Sequence, residues 1–142
     1  MSNYKLPKNT EDDVVKVTWS ALKYAPYSQA CICTIERKDN GYKQYILFSY
    51  NTAILSVWGN GSMFITDDVN CSRTTARHVN RFCKEMNDLL GSNAAYMGCK
   101  LAMNRAVNIF TLETIKAYTR QEVRDMQRDC ENLYWSCRRL NK

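Results

Sequence analysis

The chain has 142 residues, 45% of them hydrophobic, with 20 Lys and Arg against 14 Asp and Glu. That length suits one domain with a real core, and no apolar run is long enough to cross a membrane. A net charge of +6 and a pI of about 9.0 point to an acidic partner, either nucleic acid or an acidic protein surface.

The opening, Met1-Ser2-Asn3-Tyr4-Lys5-Leu6-Pro7-Lys8, is polar and lacks the apolar stretch of a secretory signal. A cytoplasmic location in a host cell is expected. Seven cysteines, Cys31, Cys33, Cys71, Cys83, Cys99, Cys130 and Cys137, are scattered and form no C-x-x-C. Most read as reduced core residues. One histidine and scattered thiols do not make a zinc site, so no metal and no cofactor is expected.

Residues 1–10 read as a loose arm. Residues 12–24 carry two signals. Val14, Val15, Val17 and Trp19 favour a strand. Thr10-Glu11-Asp12-Asp13 resembles a helix start, and Trp19, Leu22 and Lys23 continue one. A helix is the expectation taken here, ended by Pro26. Residues 30–37 alternate Cys31, Cys33 and Ile35 against Ile32, Thr34 and Glu36, which is a strand. Asp39-Asn40-Gly41 reads as a hairpin turn. A strand over 42–50 is followed almost directly by another over 52–58. Asn51 is then either a bulge or bend, or part of one long curved ribbon. Gly59-Asn60-Gly61 separates that strand from Ser62-Met63-Phe64-Ile65-Thr66, and Asn-Gly suits a type I′ turn.

A helix follows. Ser72 is its expected cap, with Asp67, Asp68 and Asn70 upstream, and Gly91 is its expected stop. At 100° per residue, Thr75, Val79, Phe82, Cys83, Met86, Leu89 and Leu90 share one face. Arg73, Arg77, Arg81 and Lys84 form a stripe on the opposite face, joined by Asp88. This is either a solvated helix face or a phosphate-contacting stripe. His78 falls at the seam between the two faces, with no evident partner; Cys71 just before the helix favours a thiolate but points away from it.

The run Ser49-Tyr50-Asn51-Thr52, followed by Ser72, Thr74, Thr75, His78 and Phe82, resembles a family of small uncharacterised proteins. These are encoded by phages, plasmids and other mobile elements of Gram-positive bacteria. Their pattern is Y-x-T, a strand ending near Thr-Asp, then S-x-T-T-x-x-H-x-x-x-F. The resemblance covers about a third of the chain. It implies a mobile-element origin and a βα module, and it implies no activity.

Gly91-Ser92-Asn93 breaks the chain. Residues 94–109 suggest a short helix that Gly98 weakens, and residues 112–141 suggest a long one. In the latter, Val123, Met126, Cys130, Leu133, Cys137 and Leu140 step by three and four, as in a coiled coil. Leu112 and Ile115 extend the pattern upstream, with Thr119 as its weak point. Lys116, Arg120, Arg124 and Arg128 are offset by interleaved acids, whereas Arg138 and Arg139 are not.

The expected fold class is therefore α+β. A small antiparallel sheet is packed by a helix and followed by a helical C-terminal segment with one long helix. Residues 1–92 would form the βα core module and residues 93–142 the helical segment, together one compact domain. No phosphate loop, H-E-x-x-H, G-x-S-x-G or EF-hand pattern occurs, so no catalytic residues are assigned. The expected function is a non-enzymatic binding protein acting on a host nucleic acid or nucleoprotein complex. Its sharpest form is an anti-CRISPR-type inhibitor of a defence system. The partner-binding set is Arg73, Thr74, Arg77, Arg81, Lys84, Arg138 and Arg139. One alternative is an assembly protein that forms a homodimer through Val123, Met126, Leu133 and Leu140. A second is a small cysteine-dependent enzyme using Cys71 and His78.

Overall fold

The computed structural model describes residues 14–37, 43–50, 52–65, 73–102 and 105–140; the side chains of 14, 15, 37, 126, 130 and 133–140 are not among those described. Seven strands form one antiparallel sheet in which every neighbour in space is the neighbour in sequence. They are β1 (Val14–Ala21), β2 (Ala30–Arg37), β3 (Gln44–Ser49), β4 (Thr52–Trp58), β5 (Ser62–Ile65), β6 (Arg105–Asn108) and β7 (Thr114–Ala117). Helices α1 (Arg73–Leu90) and α2 (Ala95–Leu101) lie between β5 and β6 in the chain, and α3 (Arg120–Leu140) follows β7. The fold is α+β. Among the described residues no helix is long and apolar enough to cross a membrane.

Strand alternation divides the core. On one face Ile32, Leu47, Leu55, Val57, Met63 and Val107 pack with Val79, Phe82 and Met86 of α1. On the other face Cys33, Ile35, Ile46, Phe48 and Ala53 form a second cluster. Trp58, Phe64 and Val123 of α3 form a third. The register agrees: Ile32 pairs with Leu47 and Leu47 with Leu55, while Cys33 pairs with Ile46 and Ser56 with Phe64. The sheet therefore separates α1 and α2 from α3.

Several expectations are corrected. Residues 14–21 are a strand and not a helix. Their β-branched side chains suit the sheet, and pairing with the full length of β2 outweighs the weak helix-start signal. The chain reverses between β3 and β4, which pair antiparallel, so it is not one continuous ribbon. Ser49 pairs with Thr52, and Tyr50 takes a φ of 62°; Asn51 lies outside the described residues. The Gly59–Gly61 hairpin exists, but its turn is not type I′. Positive φ is confined to Tyr50, Gly61, Gly91 and Leu112 among the described residues, so Asn60 does not adopt it. Gly61 N–H donates to Trp58 O at 2.9 Å, which is a three-residue loop closed by a glycine at φ 92°. A Cβ at Gly61 would sit 2.5 Å from the Phe110 ring, and the φ of 92° is one that L side chains rarely adopt, so a substitution there is strained.

The C-terminal third is not wholly helical. The helix expected over 94–109 ends at Leu101, and Arg105–Asn108 instead pairs with β5. The open edge of β5 offers hydrogen bonds along a buried register, and Val107 and Ile109 are β-branched. The long helix starts at Arg120 and not at 112. Leu112 lies in a turn and Ile115 in β7. Thr119, the weak point of the heptad pattern, is the cap of α3. Its hydroxyl accepts from Glu122 N–H at 3.2 Å, and the Glu122 carboxylate accepts from Thr119 N–H at 2.9 Å. This reciprocal box fixes the helix start, and the Thr119 donors hold the Glu122 carboxyl below its usual range. Val123, expected at a self-association seam, is buried within its own chain against Trp58 and Phe64. The side chains of Met126, Leu133 and Leu140 lie outside those described, as do the turn at 39–41, the cap Ser72, Asp67, Asp68, Asn70 and Cys71.

A basic groove between the second-layer helices

Helix α1 is amphipathic as expected. Thr75, His78, Val79, Phe82, Cys83 and Met86 are buried. Leu89 departs from the expected face: it is 54% exposed, at the margin of the stripe, and the last turn packs through Leu90 instead. The helix ends as predicted at Gly91, whose φ is 70°. Ser92 N–H then reaches back to Asn87 O at 3.1 Å, satisfying a carbonyl of the last turn.

Because one side of α1 is committed to the sheet, the other is held rigidly toward solvent. Arg73, Thr74, Arg77, Arg81 and Lys84 are all exposed. Among the described residues, Arg73, Arg77 and Arg81 form no ion pair. Arg77, Arg81 and Lys84 line a groove of about 430 Å³ together with Asn80, Cys83, Asn87 and Tyr96 of α2. Three cations and no carboxylate line it. Sequence reasoning found the cations but missed Asn80, Asn87 and Tyr96. Asn80 and Asn87 share the angular position of the stripe, a signal available in the helical wheel. Tyr96 comes from a separate element and had no such signal.

The acids of α1 are occupied elsewhere. The Glu85 carboxylate accepts from Lys23 N–H at 2.6 Å, and the Asp88 carboxylate accepts from the Tyr24 hydroxyl. That hydrogen bond raises the Tyr24 pKa, with burial adding to it. Lys84 Nζ stands 4.3 Å over the Tyr24 ring, a cation–π contact that holds the ammonium at one end of the groove. The walls are joined by direct contacts. Asn87 Oδ1 accepts from Ala95 N–H at 3.0 Å. This satisfies a donor at the start of α2 that the local chain leaves open. Cys83 and Cys99 are both buried and free, with their sulfurs 3.4 Å apart. The Cys83 contact and burial raise the Cys99 pKa well above the ordinary thiol value, so the Cys99 thiol stays protonated and packs against Cys83.

His78 has a partner that the sequence did not disclose. Its Nδ1 lies 2.8 Å from Ser49 Oγ, at the end of β3, and Ser49 Oγ lies 3.4 Å from Thr75 Oγ1. Tyr50 covers the imidazole with ring centroids 5.9 Å apart. All three polar side chains are buried. Burial first, and the nearby Arg77 charge second, lower the His78 pKa. The Ser–His contact resembles a base and hydroxyl pair, but Ser49 is 3% exposed and His78 2%. With both side chains closed to solvent, the cluster ties β3 to α1 as a polar staple.

Arg138 and Arg139 are in the last turn of α3, and the sheet stands between α3 and α1. Their side chains lie outside those described. No three His, Cys, Asp or Glu side chains converge on a metal position among the described residues.

No curated protein and no solved structure matches the chain. A family model does match residues 23–98. That span is more than half of the chain and contains every residue that lines the groove. The chain belongs to a family of unknown function (DUF8033).

Proposed function

We propose that this is a non-enzymatic binding protein of a mobile element that uses the exposed face of α1 to hold phosphates of a host nucleic acid or nucleoprotein complex. In its sharpest form it is an anti-CRISPR-type inhibitor of a defence system that binds the nucleic acid of that complex. The observation that carries the binding reading is the groove: Arg77, Arg81 and Lys84 converge on it without a lining carboxylate. Cations on a rigid helix are preorganised, so little side-chain ordering beyond the cations themselves opposes binding. Phosphate contacts of this kind position a ligand without reading its sequence. The mobile-element context rests on the resemblance carried by Tyr50, Thr52, Thr74, Thr75, His78 and Phe82.

The test is recovery of partners from host lysate, with and without nuclease, by the natural chain and by Arg77→Glu/Arg81→Glu. The expected result is nuclease-sensitive recovery that the double reversal abolishes. Nuclease-resistant recovery of an acidic protein would replace nucleic acid with a protein groove as the target. Recovery and biological activity that survive the reversal would show the stripe to be a solvated face.

A further inference from the structure

Tyr96 is the aromatic side chain in the groove lining. We propose that the groove binds a single-stranded nucleic acid, with a base stacked on Tyr96 and neighbouring phosphates held by Arg77, Arg81 and Lys84. The inference rests on the nucleic-acid reading above and narrows its ligand class.

Tyr96 is 45% exposed, yet its neighbours Ala95, Gly98 and Cys99 are buried. Gly98 lets α2 approach closely: a Cβ there would stand 3.0 Å from Ile109 and 3.3 Å from Met63. The ring is therefore presented from a fixed platform and not from a loop. Lys100 Nζ lies over one face of the ring, 5.0 Å from its centroid, so a base stacks on the opposite face with a cation behind the ring. An aromatic ring beside a track of cations is the arrangement that binds single strands without sequence preference, because every base has a π face.

A duplex fits the same groove poorly. Its bases are already stacked on one another, and a base must be unpaired and unstacked to reach the ring. A single strand has free base faces and a backbone flexible enough to follow the cations. Along α1 the Cα positions of Arg77, Arg81 and Lys84 step by about 6 Å and about 4.5 Å. Asn80 can donate and accept toward a base edge or sugar. Asn87 commits Oδ1 to Ala95 N–H, which leaves its Nδ2 protons to donate.

The experiment is fluorescence anisotropy with a labelled oligothymidylate of about twelve nucleotides and a duplex of equal length. The single strand should bind roughly tenfold or more tightly than the duplex. Tyr96→Ala should weaken single-strand binding about tenfold while leaving duplex binding and the salt dependence unchanged; Tyr96→Phe should keep the natural affinity. Equal binding of both forms, with no effect of Tyr96→Ala, would overturn the single-strand proposal and leave the nucleic-acid reading standing. Binding of neither form would overturn both.

Discussion

His78 shows how a single residue changes meaning once the fold is known. On the helical wheel it is a lone histidine at a seam. Its partner Ser49 is 29 positions away, on a strand, so no local pattern links them. The fold keeps the imidazole neutral by burying it near Arg77, which places its pKa below the ordinary 6.5. The unfolded chain takes up the proton at a higher pH than the folded one. Stability should therefore be full above the unfolded value and fall as pH drops through 6.5 toward the lowered folded value. Thermal melts from about pH 7.5 to about pH 5.5, above the carboxylate range, should show this decline. His78→Gln should be less stable overall but nearly flat across that window. An equally steep decline in His78→Gln would remove His78 as the cause. The Cys83–Cys99 contact was equally hidden, since 16 residues separate two thiols that meet only when α2 folds back on α1.

Among the elements, α1 was legible because its 3.6-residue period is local and strong. Its basic face and its buried set, apart from Leu89 and His78, follow from spacing, and its stop follows from Gly91. β2 and β4 were legible too, with bounds set by alternation and turns. β6 and β7 were not. Each has four residues, too few to show a period of two, and Arg105–Asn108 becomes a strand only because β5 offers an edge. β1 was misread because its strand propensity competed with a plausible helix start, and tertiary pairing decided between them. The start of α3 was available in the sequence as Thr119-Arg120-Gln121-Glu122, a capping box that the heptad pattern overshadowed. The packing of α1 is directly testable. Phe82 has no exposed surface, so Phe82→Ala should cost about 3–5 kcal/mol in denaturant unfolding. Arg77→Glu/Arg81→Glu touches only exposed side chains and should move stability by less than about 1 kcal/mol. A small effect of Phe82→Ala, or unfolding caused by the double reversal, would contradict the assignment of the two faces.

At the scale of the whole molecule, the sheet keeps two surfaces apart. α3 covers one face through Val123, and its Gln127 and Glu131 side chains bond the Ala53 backbone at 2.9 and 3.1 Å. α1 and α2 cover the other face and present the groove. The described part of the candidate site is a compact set on two adjoining helices, and the side chains of Arg138 and Arg139 lie outside those described. The net charge of +6 only suggests an acidic partner; the fold shows that Arg77, Arg81 and Lys84 share a groove with Tyr96. The central claim is that this set neutralises phosphates. Its most direct test is the salt dependence of oligothymidylate binding by the natural chain and by Arg77→Glu/Arg81→Glu. Three neutralised phosphates on a single strand predict a slope of about −2 for log K against log salt concentration, about 0.7 for each contact. The double reversal should abolish measurable binding or bring the slope close to zero. A natural chain whose binding is independent of salt, or a reversal that leaves affinity and slope unchanged, would contradict the account.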